Sequence, residues 1–142
     1  MSEDLERMTH MLRTVRIIAV VGMSDKTSRA SHHIGKYLAN HGYQVLPVNP
    51  ALGEILGMKC YPTLDAAQAA AQQQGRSIDL VDVFRTAEFV PEIVEEVIRL
   101  GIPNLWLQDG VVHESAIARA RQAGVECVQN DCIYRRHAML LG

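Results

Sequence analysis

Apolar side chains at Leu5, Met8, Met11, Leu12 and Val15 recur at helical spacing, which predicts a helix over residues 2–15. Ser2 is placed to cap it, and Glu3 and Asp4 suit its positive end. At Arg16 the period changes. RIIAVVG is a short β-branched run closed by Gly22, the pattern of a strand buried on both faces. Ile34, Tyr37, Leu38 and His41 then return at i, i+3, i+4 and i+7 and stop at Gly42, which predicts an amphipathic helix. YQVLPVNP, Tyr43–Pro50, reads as a second strand whose terminal proline blocks continuation.

The cycle repeats to the end of the chain. YPTLDAAQAAAQQQG predicts a helix ending at Gly75, and IDLVDVF (Ile78–Phe84) a third strand. VPEIVEEVIRLG has Pro91 near its start and Gly101 past its end, the punctuation of a helix. NLWLQ (Asn104–Gln108) and VECVQ (Val125–Gln129) are the fourth and fifth strands, separated by a helix in HESAIARARQAG, and YRRHAMLL forms a short terminal helix. Alternating strands and helices with short connections imply parallel strands, right-handed crossovers and helices on both faces of the sheet. The expected fold is one doubly wound, Rossmann-like α/β domain over residues 1–142, with a five-stranded, mainly parallel sheet and the first helix packed on it.

Composition narrows the function classes. A formal charge of −2 gives no reason to expect nucleic acid along a whole face, but it leaves room for a local cluster of cations. No apolar run reaches the roughly 18 residues a membrane span requires, and MSEDLERMTHMLRTV is acidic where a signal peptide would be basic and then apolar. Cys60, Cys127 and Cys132 are odd in number and show no CxxC spacing, which fits a reducing compartment. A cytoplasmic location follows as the expectation.

In a doubly wound sheet, ligands bind outside the carboxyl ends of the strands, where strand order reverses. The first loop on that edge is GMSDKTSR. Gly22 permits close approach, while Ser24 and Ser31 bring hydroxyls to a helix N-terminus whose free N–H groups favour an anion. Lys26 and Arg29 add cations for phosphate oxygens. The bland alternative is that the hydroxyls only cap the helix and both cations are solvated. The second strand ends in Val48, Asn49 and Pro50, and no carboxylate follows until Glu54. An NAD site would place an acid there for the ribose and would carry G-x-G-x-x-G, so NAD is disfavoured. The third strand ends with Phe84, as readily core as ligand surface, and Arg85, either a ligand cation or a partner for Glu88. Trp106 belongs to the core, whereas Gln108 and Gly110 at the end of the fourth strand are placed to line a pocket.

With these loops assembled, the sequence resembles the small stand-alone CoA-binding proteins, the YccU-like group, which share a fold with the CoA-binding domain of the succinyl-CoA synthetase α subunit. The resemblance rests on IAVVGMSDKTSRASHHIGKYLANHGYQVLPVNP, DLVDVFRTAEFVPEIVEE, LWLQDGVVHESA and CVQNDCIYRRH. It implies a coenzyme A or acyl-CoA site in which Gly22, Ser24 and Lys26, with Arg29 and Ser31 behind them, meet the phosphates. Val48, Asn49, Pro50, Phe84 and Arg85 come beside the nucleotide, while the helix from Val90 and the WLQDG loop line the pantetheine arm. The synthetase itself reacts through a phosphorylated histidine on a second domain and a β subunit, so its activity is not carried over.

No constellation for acyl transfer or hydrolysis stands out, and no histidine pairs with another or with a cysteine at zinc-like spacing. His32 and His33 read as solvated helix-surface residues, and Glu92, Glu95 and Glu96 as solvated acids near a helix start. Cys132, followed by Arg135 and Arg136, is a candidate redox thiol against the simpler reading of an inert, half-buried cysteine. The expected function is non-catalytic binding, sensing or delivery of CoA. The alternatives are a nucleotide-dependent enzyme (a CoA ligase or transferase component, or an atypical NADP oxidoreductase) and an interaction protein that has lost its ligand. Beyond the small molecule, the expected partners are a second copy, through the first helix, or a partner enzyme.

Overall fold

A computed structural model describes residues 2–142. Five parallel strands form its sheet: β1 (Ile17–Val21), β2 (Gln44–Val48), β5 (Leu80–Val83), β6 (Asn104–Leu107) and β7 (Glu126–Val128), in the order β2-β1-β5-β6-β7. The chain moves outward from β1 to β2 and then returns past β1 to β5. The reversal point therefore lies between β1 and β5.

Helices cover both faces. Alternate residues Ala19, Val21, Val81, Val83, Leu105 and Leu107 pack beneath α3 (Leu64–Gln73), α4 (Val90–Arg99) and α5 (Glu114–Gln122). On the other face Ile18, Val20, Leu80 and Trp106 meet α1 (Glu3–Thr14), α2 (Ala30–Asn40) and α6 (Ile133–Leu140). Met11 and Leu12 of α1 are buried in this second layer, so the first helix covers the sheet as expected. Trp106 is fully buried and its indole N–H donates to the Asp131 carbonyl, satisfying the one polar group of that side chain.

The strands are shorter than the apolar runs that announce them. Tyr43 precedes β2 because its hydroxyl donates to the Leu12 carbonyl, and Asn49 leaves the strand because its Oδ1 accepts from the Ala51 N–H. The third helix starts at Leu64 rather than Tyr61. Thr63 caps it, accepting from the Ala66 N–H, while Tyr61 bridges to Val48 beside the sheet. A small antiparallel hairpin, β3 (Glu54–Ile55) and β4 (Met58–Lys59), was not expected. Leu56 (φ +54°) and Gly57 (φ +77°) form its two-residue turn with positive φ at both positions. Leucine gives no warning of that geometry.

Candidate functional site

The carboxyl ends of β1, β2 and β5 are tied together at the reversal point. The Gly22 N–H donates to the Val48 carbonyl at 2.9 Å, and the Phe84 N–H to the Val21 carbonyl at 2.9 Å. Gly22 has φ +86°, and a Cβ there would stand 3.1 Å from Arg85 Cδ and 3.3 Å from the Phe84 carbonyl oxygen. Only glycine meets both demands, the left-handed backbone and the close approach of the β5 loop.

Beyond Gly22 the loop is held by specific bonds. Met23 is fully buried, and its carbonyl accepts from Asn49 Nδ2 at 3.0 Å. The Ser24 N–H donates to Ser31 Oγ, Ser24 Oγ accepts from the Lys26 N–H, and His32 Nδ1 lies 3.0 Å from the Ser24 carbonyl. His32 is thus buried against the loop rather than solvated, whereas His33 is exposed as expected. Its signal in the sequence was absent, because the acceptor is a backbone carbonyl eight residues away.

Gly22, Ser24, Arg29, Ser31 and Phe84 surround one concavity of about 340 Å³ at the start of α2. No side chain caps that helix: Arg29 occupies the cap position, and the Ser31 hydroxyl is engaged by Ser24. The first N–H groups of α2 therefore remain open to an anion. The side chains of Lys26 and Arg29 have no ion-pair or hydrogen-bond partner among the described residues. Lys26 is exposed at the rim and does not line the concavity. Phe84 serves two purposes, packing partly on the α2 layer and lining the concavity.

Across the sheet edge, on the α3–α4 face, lies a cleft of about 180 Å³ lined by Val48, Pro50, Thr63, Arg85, Phe89 and Glu96 among others. The Arg85 guanidinium sits 3.9 Å from the centre of the Phe89 ring and does not pair with Glu88, whose carboxylate accepts from the Thr86 hydroxyl. Glu96 is half-buried, and burial, reinforced by the Glu92 and Asp65 carboxylates against Arg99, raises its pKa. Glu92 is exposed as expected, although it borders the cleft, whereas Glu96 is half-buried in the cleft lining. A groove of about 420 Å³ beside α1 is lined by Glu3, Glu6, Arg7 and Glu126, a poor match for a polyphosphate.

Two expected site residues are elsewhere. Gln108 is buried, and its Oε1 accepts from the Ile133 N–H at the start of α6. The Gly110 N–H donates to Asn130 Oδ1, and neither residue borders the concavity or the cleft. Asn49 is near the site but its amide is occupied at both ends, by Met23 and Ala51. Cys132 is buried, and Arg135 and Arg136 are engaged by Asp109 and Asp131. That removes the free cations the redox reading required. Among the described residues no group of three or more His, Cys, Asp or Glu side chains is arranged to hold a metal ion.

A residue that no motif suggested lies within the sheet. Asp82 is opposite Val20 and Trp106 in the sheet register, fully buried, and neither carboxyl oxygen has a hydrogen-bond partner among the described residues. Burial pushes its pKa well above the usual carboxylate range. The one clue in the sequence is an acid within the apolar run LVDVF.

A family model described as a CoA binding domain matches residues 16–138. The uncharacterized protein YneT of Bacillus subtilis is 35% identical over 129 residues, covering 91% of this chain and 90% of that one. Acetate–CoA ligase [ADP-forming] I of Archaeoglobus fulgidus is 27% identical over 128 residues, covering 83% of this chain and 18% of the ligase. Among solved structures, a hypothetical protein from Pyrococcus horikoshii superimposes with a TM-score of 0.87 at 36% identity, covering 97% of this chain and 92% of that one.

Proposed function

The chain belongs to the CoA binding domain family, and from that premise we propose that it binds coenzyme A or an acyl-CoA across the β1–β5 reversal point, without a reaction of its own. The observation that carries the reading is the set of uncommitted cations. Among the described residues Lys26, Arg29 and Arg85 have no carboxylate partner, and unlike the other unpaired cations they stand at the carboxyl ends of β1 and β5. Lys26 and Arg29 flank an uncapped helix N-terminus reached through Gly22, and the Arg85 side chain passes that glycine on the other side, a grouping that suits a pyrophosphate.

The pyrophosphate occupies the concavity between Gly22 and Ser31. In dinucleotide folds the adenosine lies toward the end of the second strand, here Val48 to Pro50. Pro50 replaces the acid that would hold an NAD ribose there, and that neutral surface suits a ligand carrying an additional phosphate. The pantetheine arm then runs toward the β6 loop. A domain of this kind, matched to 18% of an acetate–CoA ligase, stores, senses or delivers the cofactor.

Isothermal titration with CoA, 3′-dephospho-CoA, acetyl-CoA, NAD and NADP tests the proposal. CoA should bind well above the dinucleotides. Arg29→Ala and Arg85→Ala should each weaken it by about tenfold or more, as loss of a charge-assisted hydrogen bond of roughly 1.5–3 kcal/mol requires. Binding of NADP with none of CoA would overturn it in favour of an oxidoreductase. Silence from every ligand would return the chain to the interaction class.

A further inference from the structure

We infer that His32 is the positioning residue of the proposed phosphate loop, fixing the Ser24–Asp25 peptide so that its N–H, and not its oxygen, faces the ligand. The inference deepens the CoA reading above and rests on it. A loop that holds an anion presents N–H groups and keeps carbonyl oxygens away, because each carbonyl oxygen carries a partial negative charge. In this loop three carbonyls are held by named donors. Asn49 Nδ2 takes the Met23 oxygen, His32 Nδ1 the Ser24 oxygen and the Arg29 N–H the Lys26 oxygen, each at 3.0 Å. The imidazole is the one donor to the Ser24 oxygen among the described residues.

The geometry assigns the direction of that bond. A carbonyl oxygen only accepts, so the hydrogen lies on Nδ1. His32 is buried in the first turn of α2, and the Ser24 oxygen is therefore drawn inward. In a trans peptide the N–H points opposite to the C=O, which turns the Asp25 N–H outward, where no described residue accepts from it. The Asp25 carboxylate itself is exposed. Ser31, the preceding residue of α2, accepts from the Ser24 N–H at 2.9 Å. Two consecutive residues of the helix thus grip both polar groups of the Ser24 backbone, and Ser24 and Ser31 both border the concavity. Without the imidazole, the Ser24 oxygen gains its missing donor only by swinging out to water, toward the phosphates. The Asp25 N–H would turn inward with it.

The test is isothermal titration of CoA and 3′-dephospho-CoA into the wild type and three variants, each shown by circular dichroism and urea unfolding to be folded at the titration temperature. His32→Asn places an amide N–H where Nδ1 stands, His32→Gln extends the same amide one bond too far, and His32→Leu has no donor. The leucine and glutamine variants should each weaken binding by about tenfold, the effect of a buried carbonyl left unpaired. Both ligands should lose the same factor, because the pyrophosphate is common to them. His32→Asn should keep wild-type affinity, although glutamine is nearer to histidine in size; a residue that merely filled space would give the opposite order. Wild-type affinity in folded His32→Leu, or an asparagine variant as weak as the glutamine one, overturns the inference and leaves the CoA reading standing. If His32→Leu does not fold, the comparison of asparagine with glutamine decides alone. If neither ligand binds the wild type, the CoA reading fails and the inference falls with it.

Discussion

Replacing Asp82 by asparagine should alter the pH dependence of stability more than stability at any one pH. The Asp82 carboxyl is fully buried on the central strand without a partner, and its pKa is raised well above 3.8 by desolvation. The folded state therefore keeps a proton that the unfolded chain releases as pH rises past 3.8. Stability is full below that point and falls with increasing pH, until pH passes the folded-state pKa. Each pH unit within the window costs about 1.4 kcal/mol. The cost therefore grows with pH up to the folded-state pKa, set against the 5–15 kcal/mol typical of a domain. Asparagine has nearly the same shape and no charge to lose. Its amide adds a buried donor without an acceptor, worth roughly 1–3 kcal/mol against the variant at every pH. Asp82→Asn should consequently be no more stable than the wild type near pH 4 and gain on it by about 1.4 kcal/mol per pH unit above that. Urea unfolding at pH 4.5, 5.5, 6.5 and 7.5 measures the difference. A gap independent of pH would refute the reasoning, because it would mean that the carboxylate is ionised and solvated or paired in the folded protein.

Other perturbations separate binding from stability. Gly22→Ala forces a side chain into φ +86° and within 3.3 Å of the Phe84 carbonyl oxygen; it should cost about 1–3 kcal/mol in thermal unfolding and abolish CoA binding by titration. Gln108→Ala leaves the buried Ile133 N–H without its acceptor, so stability should fall by roughly 1–3 kcal/mol and hydrogen exchange should quicken at the start of α6. Intact-mass analysis after incubation with CoA disulfide should find no adduct at Cys132 in the folded protein, since the thiol is buried and the nearby arginines are engaged by Asp109 and Asp131. Ready labelling under native conditions would restore the redox reading.

What the sequence disclosed and what it hid divide along a physical line. Period and punctuation are local, so the five parallel strands and six flanking helices were readable from runs such as RIIAVVG and from Gly42, Pro91 and Gly101. The composition of the first loop was readable for the same reason: Gly22, Ser24, Lys26, Arg29 and Ser31 fall within ten residues at a helix start, the grouping that raised the expectation of an anion site. The errors concern side chains whose partners are distant or are backbone atoms. Gln108 accepts from the Ile133 N–H, 25 residues on, and His32 packs against a backbone carbonyl, so composition alone cannot show that either is engaged within the fold. Glu96 is the instructive case. On a helical wheel it belongs with Glu92 on a polar stripe, and a polar stripe is ordinarily solvated. Here the start of α3 and the Val48–Pro50 turn face that stripe from the other side, so Glu96 is half-buried in a cleft while Glu92 stays exposed at its border. Arg85 faces the Phe89 ring, four residues on, instead of Glu88, whose carboxylate accepts from the Thr86 hydroxyl, a choice between near neighbours that composition does not decide. The loop proposed for the phosphates is therefore written in one contiguous stretch, while the cleft on the α3–α4 face exists only once three separate segments have met.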